Sequence, residues 1–320
     1  MSALSLAVQT LYAELLQQLR LARHDTAPGS ISRREISGST HLYSTERHGS
    51  VRRQRYLGPA GEKADQDARD VLRSAENARE RRKLVAMLRS AGVASPPAPV
   101  SRVLDALSRE KMFEPNRLVL VGTLAYGTYP LLLGADLASP ALVTNDIDLS
   151  VMPLVVTAAP EDLSIPAILA RGDASLEPDR VSTPPSRFRS PSGLVVEFLT
   201  ISRRKNAAFL PLPGLGISAE ALAYMDFLIE DNLEAAIAWQ DGVLLRVPAP
   251  ARFAVHKLIV AQLRPAGDPK RNKDLVQARD LATQLKANDP DSWEDMVKEA
   301  RKRGRSWSAK IDAGLRLIAR

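Results

Sequence analysis

Cysteine is absent from the 320 residues, which excludes disulfides, thiolate metal sites and a cysteine nucleophile. Long apolar runs are absent as well: a membrane-spanning helix needs about 20 consecutive apolar residues, and the longest runs here are broken by Arg, Asp or Pro. The opening stretch MSALSLAVQTLYAELLQQLRLARHD lacks the basic segment followed by a purely apolar one that marks a secretory signal. Arg20 and Arg23 among few acids also suit a mitochondrial presequence, but Glu14 and the regular leucine spacing favour a folded amphipathic helix. The expectation is a cytoplasmic protein without a membrane segment.

What is present is a globular composition, 45% hydrophobic and 25% charged. The length favours two globular units with an accessory segment. Lys and Arg number 44 against 37 Asp and Glu, a net charge of +7. Such an excess attracts polyanions and helps to hold a triphosphate, and it serves solubility equally well.

Leu4, Val8, Leu11, Leu15 and Leu19 recur at helical spacing, so the first segment has one apolar stripe, suited to packing on its own chain or to pairing two copies. Two β-prone runs follow, 32–43 and 50–57, parted by the turn-prone Glu46-Arg47-His48-Gly49. This basic hairpin sets Arg33, Arg34, Arg47, Arg52, Arg53 and Arg55 beside Tyr43 and Tyr56, a mix fit for phosphate contact and base stacking, as RNA would require. It fits equally a solvated edge hairpin kept monomeric by charge. Residues 61–89, densely charged and free of Pro and of Gly after Gly61, predict a long exposed helix, and the Pro-rich 91–99 places a boundary.

From residue 99 the pattern becomes α/β. Strands are predicted at 117–121, 146–151 and 194–200, with a helix and a flexible loop in the Pro- and Ser-rich 160–193. Beyond Pro213-Gly214 helical spacing dominates, at 219–229, 250–263, 270–286, 292–303 and 306–318. The basic run RKRGR at 301–305 is read as helix-terminus charge. Three domains result: 1–95 with the N-terminal helix, basic hairpin and long charged helix, 96–213 as the α/β core, and 214–320 as a helical domain.

The chemistry lies in an order of parts. A strand runs into Gly122-Thr123 at the start of a helix, and Asp146-Ile147-Asp148 follows in a β-prone run. Glycine lets backbone approach a phosphate, the free amides of the following helix favour its charge, and Thr123 adds a hydroxyl donor. Residues two apart in a strand face the same way, which sets Asp146 and Asp148 side by side at roughly 6.6 Å. Two carboxylates so spaced suit hard cations, and two magnesium ions about 4 Å apart can clamp both oxygens of an in-line displacement. Glu197, charged within the apolar run LVVEFL, is the candidate third carboxylate, or else a strand residue facing water.

At these residues the sequence resembles the polymerase-beta-type nucleotidyltransferase superfamily, whose pattern is Gly-Gly/Ser opening a helix, then Asp-h-Asp, then a distal acid. It departs from that pattern in using Gly122-Thr123 and in a longer gap to Asp146. More closely it resembles an uncharacterised bacterial nucleotidyltransferase-like family, through SRREISG...RQRYLGPAGE, LVGTLAYGTYPLLLG...TNDIDLSV and PARFAVHKLIVAQLR...KDLVQARDL. The resemblance implies an α/β (α+β) fold: a nucleotidyltransferase core with a mixed β-sheet over 96–213 and a helical, nucleotide-holding domain over 214–320. It also implies Asp146, Asp148 and Glu197 as catalytic carboxylates and ligands of magnesium (Mg2+) or manganese (Mn2+), with Gly122 and Thr123 as the triphosphate loop.

Lys257 matches the family's phosphate-binding helix lysine, while Lys273 and Arg264 are further candidates for neutralising charge; all three also suit solvated helix surfaces. His256 reads as a packed or capping histidine rather than a base. The implied activity is metal-dependent transfer of NMP from an NTP such as ATP to a hydroxyl of RNA, a protein or a small molecule, with release of pyrophosphate. Toxin or defence roles fit the same chemistry. A non-catalytic nucleic-acid-binding or regulatory module and an antibiotic-adenylylating enzyme are the alternatives, the second disfavoured by the basic charge, since a polycationic drug needs an acidic pocket.

Overall fold

In the computed structural model the described residues are 2–48, 51–137, 144–152, 164–202 and 208–319, with backbone alone for 47, 48 and 51. The chain divides into two compact units. One comprises 7–95 with 236–244, and the other 1–6, 96–235 and 245–320.

The smaller unit begins with helix α1 (Leu6–Ala22), which buries Val8, Tyr12, Leu15, Leu16 and Leu19. Val8, Leu15 and Leu19 of the predicted stripe are therefore buried, with Tyr12 and Leu16 beside them, whereas Leu11 is half-buried and Leu4 precedes the helix. The Tyr12 hydroxyl accepts a hydrogen bond from the Ala236 amide at 3.0 Å, and burial pushes its pKa up to about 12. Strands β1 (Ser30–Ile36), β2 (Ser39–His48) and β3 (Val51–Pro59) form an antiparallel sheet in that order.

This corrects the two-run hairpin expected from the sequence. Ser37 and Gly38 take φ of 52° and 80° and turn the chain inside the first run, the positive-φ pair that a two-residue hairpin loop requires. Of the turn expected at 46–49, residues 46–48 belong instead to β2, and Gly49 lies outside the described residues. Helix α2 (Glu62–Ser90) buries Ala64, Ala68, Val71, Ser74, Ala78, Arg81, Val85 and Leu88, a three-and-four spacing hidden in sequence by the charges between. Its first turns meet Leu42, Ile31 and Leu57 and so cover one face of the sheet. Further along, buried Arg81 pairs with Asp241 at 3.1 Å.

The larger unit contains α3 (Ala98–Arg109), β4 (Leu118–Val121), the short helices α4 (Gly122–Tyr126) and α5 (Tyr129–Leu133), β5 (Asp146–Val151) and α6 (Ile165–Gly172). After these come β6 (Glu177–Pro178), β7 (Arg187–Arg189), β8 (Val195–Ile201), β9 (Phe209–Leu212) and β10 (Ile217–Leu222). The seven strands form one mixed sheet, ordered β4-β5-β8-β10-β9, with β7 along the first half of the β8 edge and β6 beyond it. β5 and β8 run parallel; β4 is antiparallel to β5 and β7 to β8. Every residue of β4 is buried, as are Ile147, Leu149, Val196 and Phe198, so this part of the sheet is covered on both faces.

The helix expected at 219–229 does not form as such. Its first part is strand β10, bonded parallel to β8 from Glu220 opposite Leu199, and only Met225–Ile229 is helical, as α7. Ala, Glu and Leu favour a helix in isolation, but a free edge on β8 overrides that preference. Strands β11 (Asn232–Ile237) and β12 (Val243–Pro248) were likewise not foreseen. In 160–193 a helix forms, followed by β6 and β7 where a loop was expected; residues 160–163 lie outside the described residues.

Four helices close the chain: α8 (Pro250–Ala261), α9 (Pro269–Asn288), α10 (Pro290–Lys302) and α11 (Arg305–Ile318). The first three carry Pro in the opening turn, where the missing N–H costs nothing. Tyr126, Tyr129 and Phe253 pack ring on ring at 5.2–6.3 Å between α4, α5 and α8. The Tyr126 hydroxyl donates to Asp280 on α9 at 3.0 Å, which fixes the terminal helices against the start of the sheet. The expected mixed sheet with C-terminal helices is what folds. Among the described residues no helix is long and apolar enough to cross a membrane.

Candidate active site

The register of the sheet builds the site. Asp148 on β5 stands opposite Val121 on β4 on one side and Glu197 on β8 on the other, and Glu197 stands opposite Arg187 on β7. Asp146 stands opposite Val195, and Val195 opposite Arg189. Residues opposite each other in adjacent strands, and residues two apart along one strand, share a face. Asp146, Asp148, Glu197, Arg187 and Arg189 therefore emerge together, and all five line a cleft of about 410 Å³. Glu197 does not turn away from the aspartates.

Gly122 governs how the turn after β4 meets this row. Its φ is 68°, and a Cβ built on it would run into Asp148 Oδ2. A side chain here would displace the Asp148 carboxylate, and the left-handed backbone favours glycine as well. Helix α4 starts at this residue, and Gly122 and Thr123 both line the cleft.

Charge divides the cleft in two. On the sheet side, the Asp148 pKa is raised from 3.8 to about 6, first by burial and then by the negative charges of Glu197 and Asp146, with Lys257 and Lys270 opposing the shift. On the helical side, Lys257 and Arg264 come from α8 and its exit, and Lys270, Lys273 and Asp274 from α9. Asp274 accepts from Lys257 Nζ at 2.6 Å and from Arg264 Nε at 2.8 Å. Lys273 has its pKa lowered by burial and by Lys257, against the pull of Asp274, Asp146 and Asp148. His256, neighbour of Lys257, is held down to about 3 by burial and by that lysine. It is neutral at ordinary pH and unsuited to exchange protons there, which agrees with a packed histidine.

A basic wall thus faces an acidic floor across the cleft. A family model described as nucleotidyltransferase matches residues 98–302, more than half of the chain. The chain belongs to this nucleotidyltransferase family. Neither a curated protein nor a solved structure matches it.

Every residue expected from the sequence to act in catalysis, metal binding or nucleotide binding lines this cleft: Asp146, Asp148, Glu197, Gly122, Thr123, Lys257, Arg264 and Lys273. Sequence reasoning passed over Arg187, Arg189, Lys270 and Asp274. The Arg-Phe-Arg alternation at 187–189 is a strand signal with both charges on one face, but it sits in a segment read as loop. Asp274 lies in the quoted KDLVQARDL stretch, yet one sequence does not tell its two helix aspartates apart.

Three carboxylates suit a hard divalent cation by ligand type. Burial and, after it, the negative charges of Glu197 and Asp146 raise the Asp148 pKa, and a cation would relieve the second of these. Among the described residues no three such groups are already drawn to metal-binding distance. Glu197 Oε1 instead accepts from Arg187 Nε at 2.7 Å, so Arg187 serves as a counter-ion on the floor.

Proposed function

We propose that this nucleotidyltransferase moves an NMP group from an NTP to an acceptor hydroxyl. The acceptor oxygen bonds to the α-phosphorus, the bond to the bridging oxygen breaks, and pyrophosphate leaves with the electron pair. One observation carries the reading: Asp148, between Asp146 and Glu197 and against Gly122, is disfavoured as an anion by burial and by those two acids, and the lysines opposite offset this only in part. A buried charge without a partner costs free energy, and its retention fits a ligand cation.

Asp146, Asp148 and Glu197 would hold Mg2+ or Mn2+, which when bound neutralises charge on the phosphate oxygens and lowers the pKa of the attacking hydroxyl. The other tasks fall to the chain itself. Gly122 and Thr123 present backbone amides and a hydroxyl to the phosphates. Lys257, Lys270, Lys273 and Arg264 balance the triphosphate charge and the charge on departing pyrophosphate. Asp274 keeps Lys257 and Arg264 in place before the nucleotide arrives. Glu197 would take the acceptor proton once it exchanges Arg187 for the incoming groups.

Incubation of the protein with each α-labelled NTP, magnesium, and total RNA or total protein tests the reading. Label should enter one acceptor pool and vanish with Asp146→Ala or Asp148→Ala at unchanged circular dichroism. Label transfer that survives both substitutions rejects it.

A further inference from the structure

We infer that the outer face of the β1–β3 sheet is a binding surface for single-stranded RNA. Helix α2 covers the face that carries Leu42, and the register assigns the remaining residues. Arg34 pairs with His41, Ser32 with Tyr43, Tyr43 with Tyr56, and Thr45 with Gln54, all on the opposite face. There Tyr43 and Tyr56 lie ring to ring at 5.2 Å, and His41 and Tyr56 at 5.7 Å. The Arg34 guanidinium sits 4.9 Å over Tyr43 and donates to Gln54 at 3.1 Å. The three rings form a continuous strip. Tyr56 is 51% exposed although it stands mid-strand.

Charge selects the occupant. Strands β1 to β3 contain two acids, Glu35 and Glu46, opposite Thr40 and Arg53. By alternation both fall on the face toward α2. The outer face thus has Arg34 and Arg52 and, among the described residues, no acid. Rings set between guanidinium groups suit bases that stack and phosphates that follow them. His41, Thr45 and Gln54 add imidazole, hydroxyl and amide groups on the same face, of the kind that read a ribose 2′-hydroxyl. A solvated anti-aggregation sheet accounts for charges along edge strands; it gives no reason for aromatic rings across the centre of an open face.

This inference is independent of the catalytic reading. Fluorescence anisotropy of the full chain with a labelled single-stranded RNA of about 12 nucleotides tests it. Binding should weaken steeply with salt. Tyr56→Leu should weaken it roughly tenfold, the loss of one base stack, while Tyr56→Phe keeps the wild-type affinity. Arg34→Gln, a change of an exposed side chain, should weaken binding severalfold and flatten the salt dependence. Asp148→Asn should bind as wild type, which separates failure at this surface from failure in the cleft. The inference is overturned by absence of RNA binding at low salt, by binding indifferent to both Tyr56→Leu and Arg34→Gln, or by equal affinity for single-stranded DNA of the same sequence.

Discussion

Asp148 on the sheet floor and Asp274 on the helical wall are carboxylates withdrawn from water in the same cleft, in opposite surroundings. Asp274 is gripped by Lys257 and Arg264 at 2.6 and 2.8 Å, so its charge is matched by the protein's own cations. Asp148 has Glu197 and Asp146 for neighbours, and its pKa is raised to about 6. Buried charge is tolerated where it is paired and hydrogen-bonded. The paired acid therefore serves the fold, and the unpaired one costs the fold stability, as the proposed cation-binding role requires.

Exchanging the roles breaks the comparison most sharply at Asp148. Asp148→Ala should reduce magnesium-dependent nucleotidyl transfer on the order of a thousandfold or more, the scale of several kcal/mol of lost charge stabilisation, with the urea midpoint of the protein unreduced. Asp274→Asn should do the reverse in kind. It removes the charge that holds Lys257 and Arg264, and should lower stability by about 3 kcal/mol, as breaking a buried ion pair does. Chemical denaturation measures it, and a midpoint equal to wild type would remove Asp274 from the structural role.

Gly122→Ala tests the contact between the two halves of the predicted motif. A methyl group there meets Asp148 Oδ2 and forces a left-handed backbone on alanine, which should cost about 2 kcal/mol of stability. The paired variant Gly122→Ala/Asp148→Gly removes the clash and should recover part of that stability, but no activity.

Much of the cleft was legible because its signals are local. The alternation in Asp146-Ile147-Asp148 fixes two side chains on one face whatever sheet they enter, and Gly122 announces a backbone that other residues resist. Glu197 was legible as a charge within an apolar run. The partners of these groups were not. That Arg187 meets Glu197 depends on β7 pairing with β8, a long-range register invisible in a Pro- and Ser-rich stretch. That Asp274 rather than Asp280 holds the lysine depends on how α9 faces α8. The strand β10, read as helix, failed for the same reason: its pairing partner decides it. Local chemistry marks which residues could act, and tertiary pairing decides which charges are compensated.

The smallest expected effect is the most direct measure of that compensation. For an acid whose pKa is raised on folding, the penalty is absent below the unfolded value, here 3.8, and complete above the folded value of about 6. Asp148→Asn in metal-free buffer should therefore leave stability unchanged near pH 3.5 and raise it by about 1–2 kcal/mol at pH 8. Denaturation midpoints of both proteins across that range trace the difference. The same titration with excess magnesium should reverse the order at pH 8, because a cation that binds only the folded wild type adds stability that the variant forgoes. If the variant gains nothing as the pH rises, then Asp148 is compensated as Asp274 is, and the contrast between floor and wall disappears.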